Sequence, residues 1–143
     1  MSNRPSAGTR RLVAERADFR CEYCKTPAAL SAAPYSGEHI TPRSQGGSHE
    51  AENLAFCCLG CNGHKAAKTK AVDPATRQTV SLFNPRLERW SDHFVWADGG
   101  ITIQGRTPTG RATVAAMLLN RVGLRNLRRL MLMAELHPSA AEG

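Results

Sequence analysis

Two cysteine pairs, Cys21-Glu22-Tyr23-Cys24 and Cys58-Leu59-Gly60-Cys61, constrain this chain more than any other feature. A two-residue spacer lets a tight knuckle turn both sulfurs toward one ion, and two knuckles supply four soft, charged ligands. The competing reading is four buried thiols in a reduced core, which leaves the paired spacing and the polar, turn-forming neighbours without a reason. The spacing therefore predicts a structural Zn2+ held by Cys21, Cys24, Cys58 and Cys61. Such a site is closed to substrate, so any chemistry has to come from other residues. Of the five cysteines, Cys57 is the spare thiol, because Cys58 keeps the spacing to Cys61.

A chain of 143 residues has room for one modest domain. Its net charge of +7 and calculated pI near 9.6 favour an anionic partner, nucleic acid ahead of an acidic membrane surface. No apolar run reaches membrane-span length, and the first nine residues carry no signal-peptide core. A cytoplasmic, reducing setting follows as the expectation, which turns the cysteines toward metal and away from disulfides.

Read in order, the chain predicts a disordered arm over residues 1–8 and a single domain over 9–138. A zinc-stapled core occupies 20–70, an accessory hairpin and helices 71–138, and a disordered tail 139–143. Within this α+β arrangement, Thr9 caps a helix over 10–17, and strands run over 38–40 and 54–57. A helix follows over 62–69, then a strand over 79–83. A hairpin joins 94–96 to 101–103 through Asp98-Gly99-Gly100. Helices over 111–120 and 124–136 are separated at Gly123. Trp90, Phe94 and Trp96 alternate with charged residues and read as core before they read as a base-stacking platform.

His39 is the candidate base, since a neutral imidazole takes a proton from water near neutral pH. A lone histidine at a strand end is ordinarily a surface residue; the company of this one raises it. The run Glu38-His39-Ile40-Thr41-Pro42-Arg43, then Gly46-Gly47, then Asn53-Leu54, then Cys58 to Cys61 followed by Asn62-Gly63-His64-Lys65, resembles the HNH endonuclease family. Downstream, Leu82-Phe83-Asn84-Pro85-Arg86 and Gly110-Arg111-Ala112-Thr113 resemble a bacterial and phage branch of it, so the likeness spans residues 12–136.

The resemblance implies a small ββα-metal core with a four-cysteine zinc beside it. It implies Glu38 and Asn62 as ligands of a catalytic divalent ion, His39 as general base, and Asn53 as the residue that closes the loop and orients His39. Glu38 stands where aspartate is commoner. Asn62 stands where histidine is frequent, and its harder oxygen suits Mg2+ or Mn2+. For His64 three places stay open: on the ion, on a phosphate, or facing solvent. Arg43, Lys65 and Lys68 are candidate phosphate contacts, against the plainer reading of a solvated charged surface.

The implied activity is a metal-dependent DNA endonuclease or nickase that leaves 5′-phosphate and 3′-hydroxyl ends. The alternatives are a catalytically lapsed, zinc-stapled nucleic-acid-binding module, or a structural component of a phage or mobile-element complex. DNA is the expected partner and a membrane is not; monomer and homodimer both remain open.

Overall fold

The computed structural model describes residues 4–138, so residues 1–3 of the expected arm and the whole expected tail lie outside the described residues. The chain divides into two compact units, Met1–Thr69 with Asn84–Leu87, and Lys70–Phe83 with Glu88–Gly143. The architecture is α+β, built from short antiparallel hairpins and helices.

In the first unit, helix α1 (Ala7–Arg16) starts three residues before the expected position. Ser6 caps it: its Oγ accepts the Thr9 N–H at 3.2 Å, so Thr9 sits in the first turn. Val13 on α1 is fully buried with Leu54 and Phe56. Strands β1 (Ser36–His39) and β2 (Leu54–Cys57) pair antiparallel, with Glu38 opposite Ala55 and His39 opposite Leu54. All of β2 is buried. Successive side chains of β1 point to opposite faces, which sinks Glu38 and leaves His39 half-buried. Helix α2 (Leu59–Lys65) begins earlier than expected because Cys58 caps it, its Sγ accepting the Cys61 N–H at 3.4 Å. The helix stops at Ala66, whose φ of 50° leaves the helical region. The order β1, loop, β2, α2 is the ββα element.

The second unit holds two hairpins, β3 (Lys70–Val72) with β4 (Thr79–Ser81), and β5 (Phe94–Ala97) with β6 (Thr102–Gly105). Its helices are α3 (Trp90–His93), α4 (Pro108–Ala116) and α5 (Val122–Met133). Helix α4 starts at Pro108 instead of residue 111, because Thr107 accepts the Gly110 N–H at 3.0 Å and proline suits the first helical position. Gly123 lies inside α5. The break falls earlier, where Leu118 takes a φ of 48°. Trp90 and Phe94 are buried as expected, and the Phe83 and Phe94 rings meet edge to face at 5.2 Å. Among the described residues no helix is long and apolar enough to cross a membrane.

Asp73 is fully buried in this unit and is held by Arg111 through two bonds of 2.9 Å, with the Thr76 hydroxyl donating at 2.8 Å. The Arg111 guanidinium holds the Asp73 carboxyl well below the usual carboxylate range. A depressed acid stabilises the fold above its unfolded pKa of about 4, and that contribution fades as pH falls through the lower folded value. Wild type should therefore lose its margin over Asp73→Asn as pH drops below about 4. Thermal melts of both proteins across the acid range check this; a constant difference would exclude Asp73 as the group.

Candidate zinc centre and nuclease site

The four-cysteine site is assembled by two local devices. The first knuckle closes where the Lys25 N–H donates to Cys21 O at 2.9 Å. Its Glu22 grips β2 twice: the Glu22 N–H donates to Phe56 O at 2.8 Å, and its Oε2 accepts the Phe56 N–H at 2.8 Å. Arg86 pairs with the other Glu22 oxygen. The second knuckle is the capped start of α2. Together they bring the Sγ atoms of Cys21, Cys24, Cys58 and Cys61 within 4.8 Å of one another, all buried. Cys24 and Cys58 lie 3.8 Å apart, the separation of ~3.8 Å that two zinc–sulfur bonds make at a tetrahedral angle. Burial pushes the Cys21 thiol up, whereas hydrogen bonds from Cys21, Cys24 and Cys61 hold Cys58 down. A cluster that buries four thiols this way suits a soft dication. Cys57 is outside the four, its Sγ 3.4 Å from Cys58 O.

Beside this centre, Glu38, His39, Arg43 and Asn62 line one open pocket of about 260 Å³. The loop between β1 and β2 is closed by Asn53. Its Oδ1 accepts the Thr41 N–H at 2.9 Å, and its Nδ2 donates to Thr41 O at 3.0 Å and Ser48 O at 2.9 Å. Gly47 makes this possible, because a Cβ there would lie 1.7 Å from Thr41 O. Gly46, at a φ of 88°, takes the left-handed turn just before it.

The cation nearest Glu38 is internal. Lys65 Nζ lies 2.6 Å from Glu38 Oε1, and the Tyr23 hydroxyl donates to Oε2 at 3.0 Å. Burial pushes the Glu38 carboxyl above its ordinary value, and Lys65 offsets part of that. Burial, then His49, Arg43 and Lys65, push His39 below its ordinary value, which keeps the imidazole neutral near pH 7. Asn62 Nδ2 donates to Ser36 Oγ at 3.3 Å.

A comparison with family models matches residues 21–68 to HNH endonuclease. Over these residues the chain is similar to the HNH family. No curated protein and no solved structure gives a match. The matched segment holds both knuckles and the ββα element, and the family it resembles is one of endonucleases.

Within the matched segment the structure gathers Glu38, His39, Arg43 and Asn62, and leaves four other expected residues, Asn53, His64, Lys65 and Lys68, outside the pocket lining. His64 is half-buried on α2, where its carbonyl accepts from Lys68 Nζ at 2.9 Å. Lys68 is exposed. Lys65, expected on a phosphate, is 1% exposed and faces Glu38. His49, unremarked in the sequence, stands at the site: its Nδ1 lies 2.9 Å from His39 Nε2, and Arg43 bonds its Nε2. Its position four residues before Asn53, in the loop Asn53 pins, is the signal that could have found it.

One carboxylate, one amide oxygen and room for water suit a hard divalent ion that keeps part of its hydration shell. A hard divalent ion at Glu38 and Asn62 would have to compete with Lys65 and Tyr23 for the Glu38 carboxylate. Removing one partner of a buried pair leaves an uncompensated charge and costs about 3–5 kcal/mol. Lys65→Met should destabilise the zinc-loaded protein by about that amount in chelator, and Glu38→Gln added to it should recover most of the loss. Denaturant unfolding of the single and double variants measures both. A Lys65→Met protein as stable as wild type would show that the pair is not held inside.

Proposed function

We propose that the HNH segment makes this protein a metal-dependent DNA endonuclease or nickase acting through one divalent ion, Mg2+ or Mn2+. The observation that carries the reading is the convergence of Glu38, His39, Arg43 and Asn62 on one open pocket beside the zinc centre. Glu38 and Asn62 would hold the ion. When bound, it supplies positive charge against the negative charge that grows on the scissile phosphate. His39, neutral near pH 7, takes the proton of a water in line with the phosphorus, leaving 5′-phosphate and 3′-hydroxyl ends. Asn53 fixes the loop that carries Thr41 and Ser48, and so limits where His39 can move. Arg43, exposed at the pocket, grips a phosphate oxygen and positions the backbone without reading bases.

A second reading, a zinc-stapled binding module without catalysis, is favoured by one observation: both Glu38 oxygens are already engaged, by Lys65 and Tyr23. Supercoiled plasmid incubated with the protein and Mg2+, Mn2+ or chelator separates the two. Cleavage products appearing only with a divalent ion support the nuclease; supercoiled DNA that persists in every metal while still binding supports the module. Binding should weaken steeply with salt, because a net charge of +7 acts on phosphates. Affinity that does not change between low and physiological salt would remove the basic surface as the DNA footprint.

A further inference from the structure

Both ring nitrogens of His49 are engaged, and the identity of the partners fixes where the protons sit. Arginine only donates, so His49 Nε2, bonded by Arg43 Nη1, is an acceptor. A neutral imidazole has one N–H, which His49 then carries on Nδ1 and donates to His39 Nε2 across 2.9 Å. His39 Nε2 is thereby an acceptor, and the neutral His39 ring keeps its own proton on Nδ1. In that arrangement His39 cannot take a proton from water. One nitrogen is already protonated, and the lone pair of the other is held by His49. Arg43, however, is exposed and lines the pocket, where a phosphate oxygen forms a stronger, charge-assisted bond to guanidinium than a neutral imidazole does.

Resting on the reading of His39 as base and Arg43 as phosphate contact, we propose that His49 is a positioning residue that couples Arg43 to the tautomer of His39, so that binding of a DNA phosphate arms the base. With Arg43 drawn to phosphate, His49 Nε2 no longer has to accept. The proton on His49 Nδ1 passes to His39 Nε2. His39 releases its Nδ1 proton to water, and His49 takes one from water at Nε2. The pair stays neutral, His39 Nε2–H now donates to His49 Nδ1, and the lone pair of His39 moves to Nδ1. The His39 and His49 rings, with centroids 5.0 Å apart, remain in contact throughout.

The test is nitrogen-15 NMR of histidine-labelled, full-length, zinc-loaded protein with other divalent ions chelated, His39→Gln and His49→Phe serving for assignment. Without DNA, His39 and His49 should both carry Nδ1–H. Adding a short DNA duplex, uncleaved without its ion, should convert both to Nε2–H. Arg43→Ala should show Nε2–H on both before any DNA is added. In His49→Phe the tautomer of His39 should stop responding to DNA, and single-turnover cleavage with Mn2+ should fall roughly 10- to 100-fold at unchanged DNA affinity. His49→Asn, whose Oδ1 accepts from His39 Nε2–H, should recover most of that rate. His39 carrying Nε2–H in DNA-free wild type, or tautomers unmoved by Arg43→Ala, would overturn the proposal. If no DNA binds at any salt, the nuclease reading falls, while the Arg43→Ala comparison still decides the coupling.

Discussion

Cys24→Ser and Cys61→Ser should each abolish zinc binding and unfold the unit that carries the HNH segment, with soluble yield and helical signal both falling. The sulfurs hold α2 at its first turn and the first knuckle against β2, so the ion and the fold are one equilibrium. Structural zinc contributes apparent binding energies of about 10–16 kcal/mol at neutral pH, against a typical total stability of about 5–15 kcal/mol. A variant lacking one ligand has no margin left. Elemental analysis of wild type should find about one zinc per chain, retained after chelation mild enough to strip an ion held by oxygen donors. Cys57→Ser should be far milder, near 1 kcal/mol, because Cys57 is buried but outside the four. A Cys24→Ser protein that stayed folded and metal-free would remove the staple.

The four-cysteine cluster was legible because spacing alone brings two sulfurs to one point, whatever the rest of the chain does. The cap of α2 was not: cysteine is an unusual N-cap, and only in the folded knuckle does its sulfur meet the Cys61 N–H. Lys65 shows a signal overlooked. It follows Cys61 by four residues, so both share one helix face, and the face that buries Cys61 also buries Lys65. A lysine so placed needs a carboxylate, and Glu38 on the inward face of β1 is there to provide it. His49 was hidden differently. Its partners, His39 and Arg43, are ten and six residues away, and a glycine-rich loop brings them together only once Asn53 has closed it. In the second unit, Gly123 drew the helix break to itself. Leu118 took the left-handed conformation instead, and glycine in α5 costs only about 1 kcal/mol relative to alanine.

His39→Ala tests the central claim most directly, because it separates the proton from the ion. A positioned base contributes on the order of 10² to 10⁴ in rate, so the variant should cleave slower by that factor. Zinc content and DNA affinity should stay near wild type, since the imidazole acts in the transition state and holds neither partner in the ground state. Glu38→Gln and Asn62→Ala lose ion affinity instead, and part of their rate should return as the ion concentration is raised. The measurement is single-turnover nicking of supercoiled plasmid by the three variants across a Mn2+ titration, with DNA binding followed in parallel. A His39→Ala rate that stays low at every Mn2+ concentration, beside Glu38→Gln and Asn62→Ala rates that climb with it, is the predicted result. A His39→Ala protein that nicks at the wild-type rate, or that recovers simply with more Mn2+, would contradict the assignment of His39 as the base.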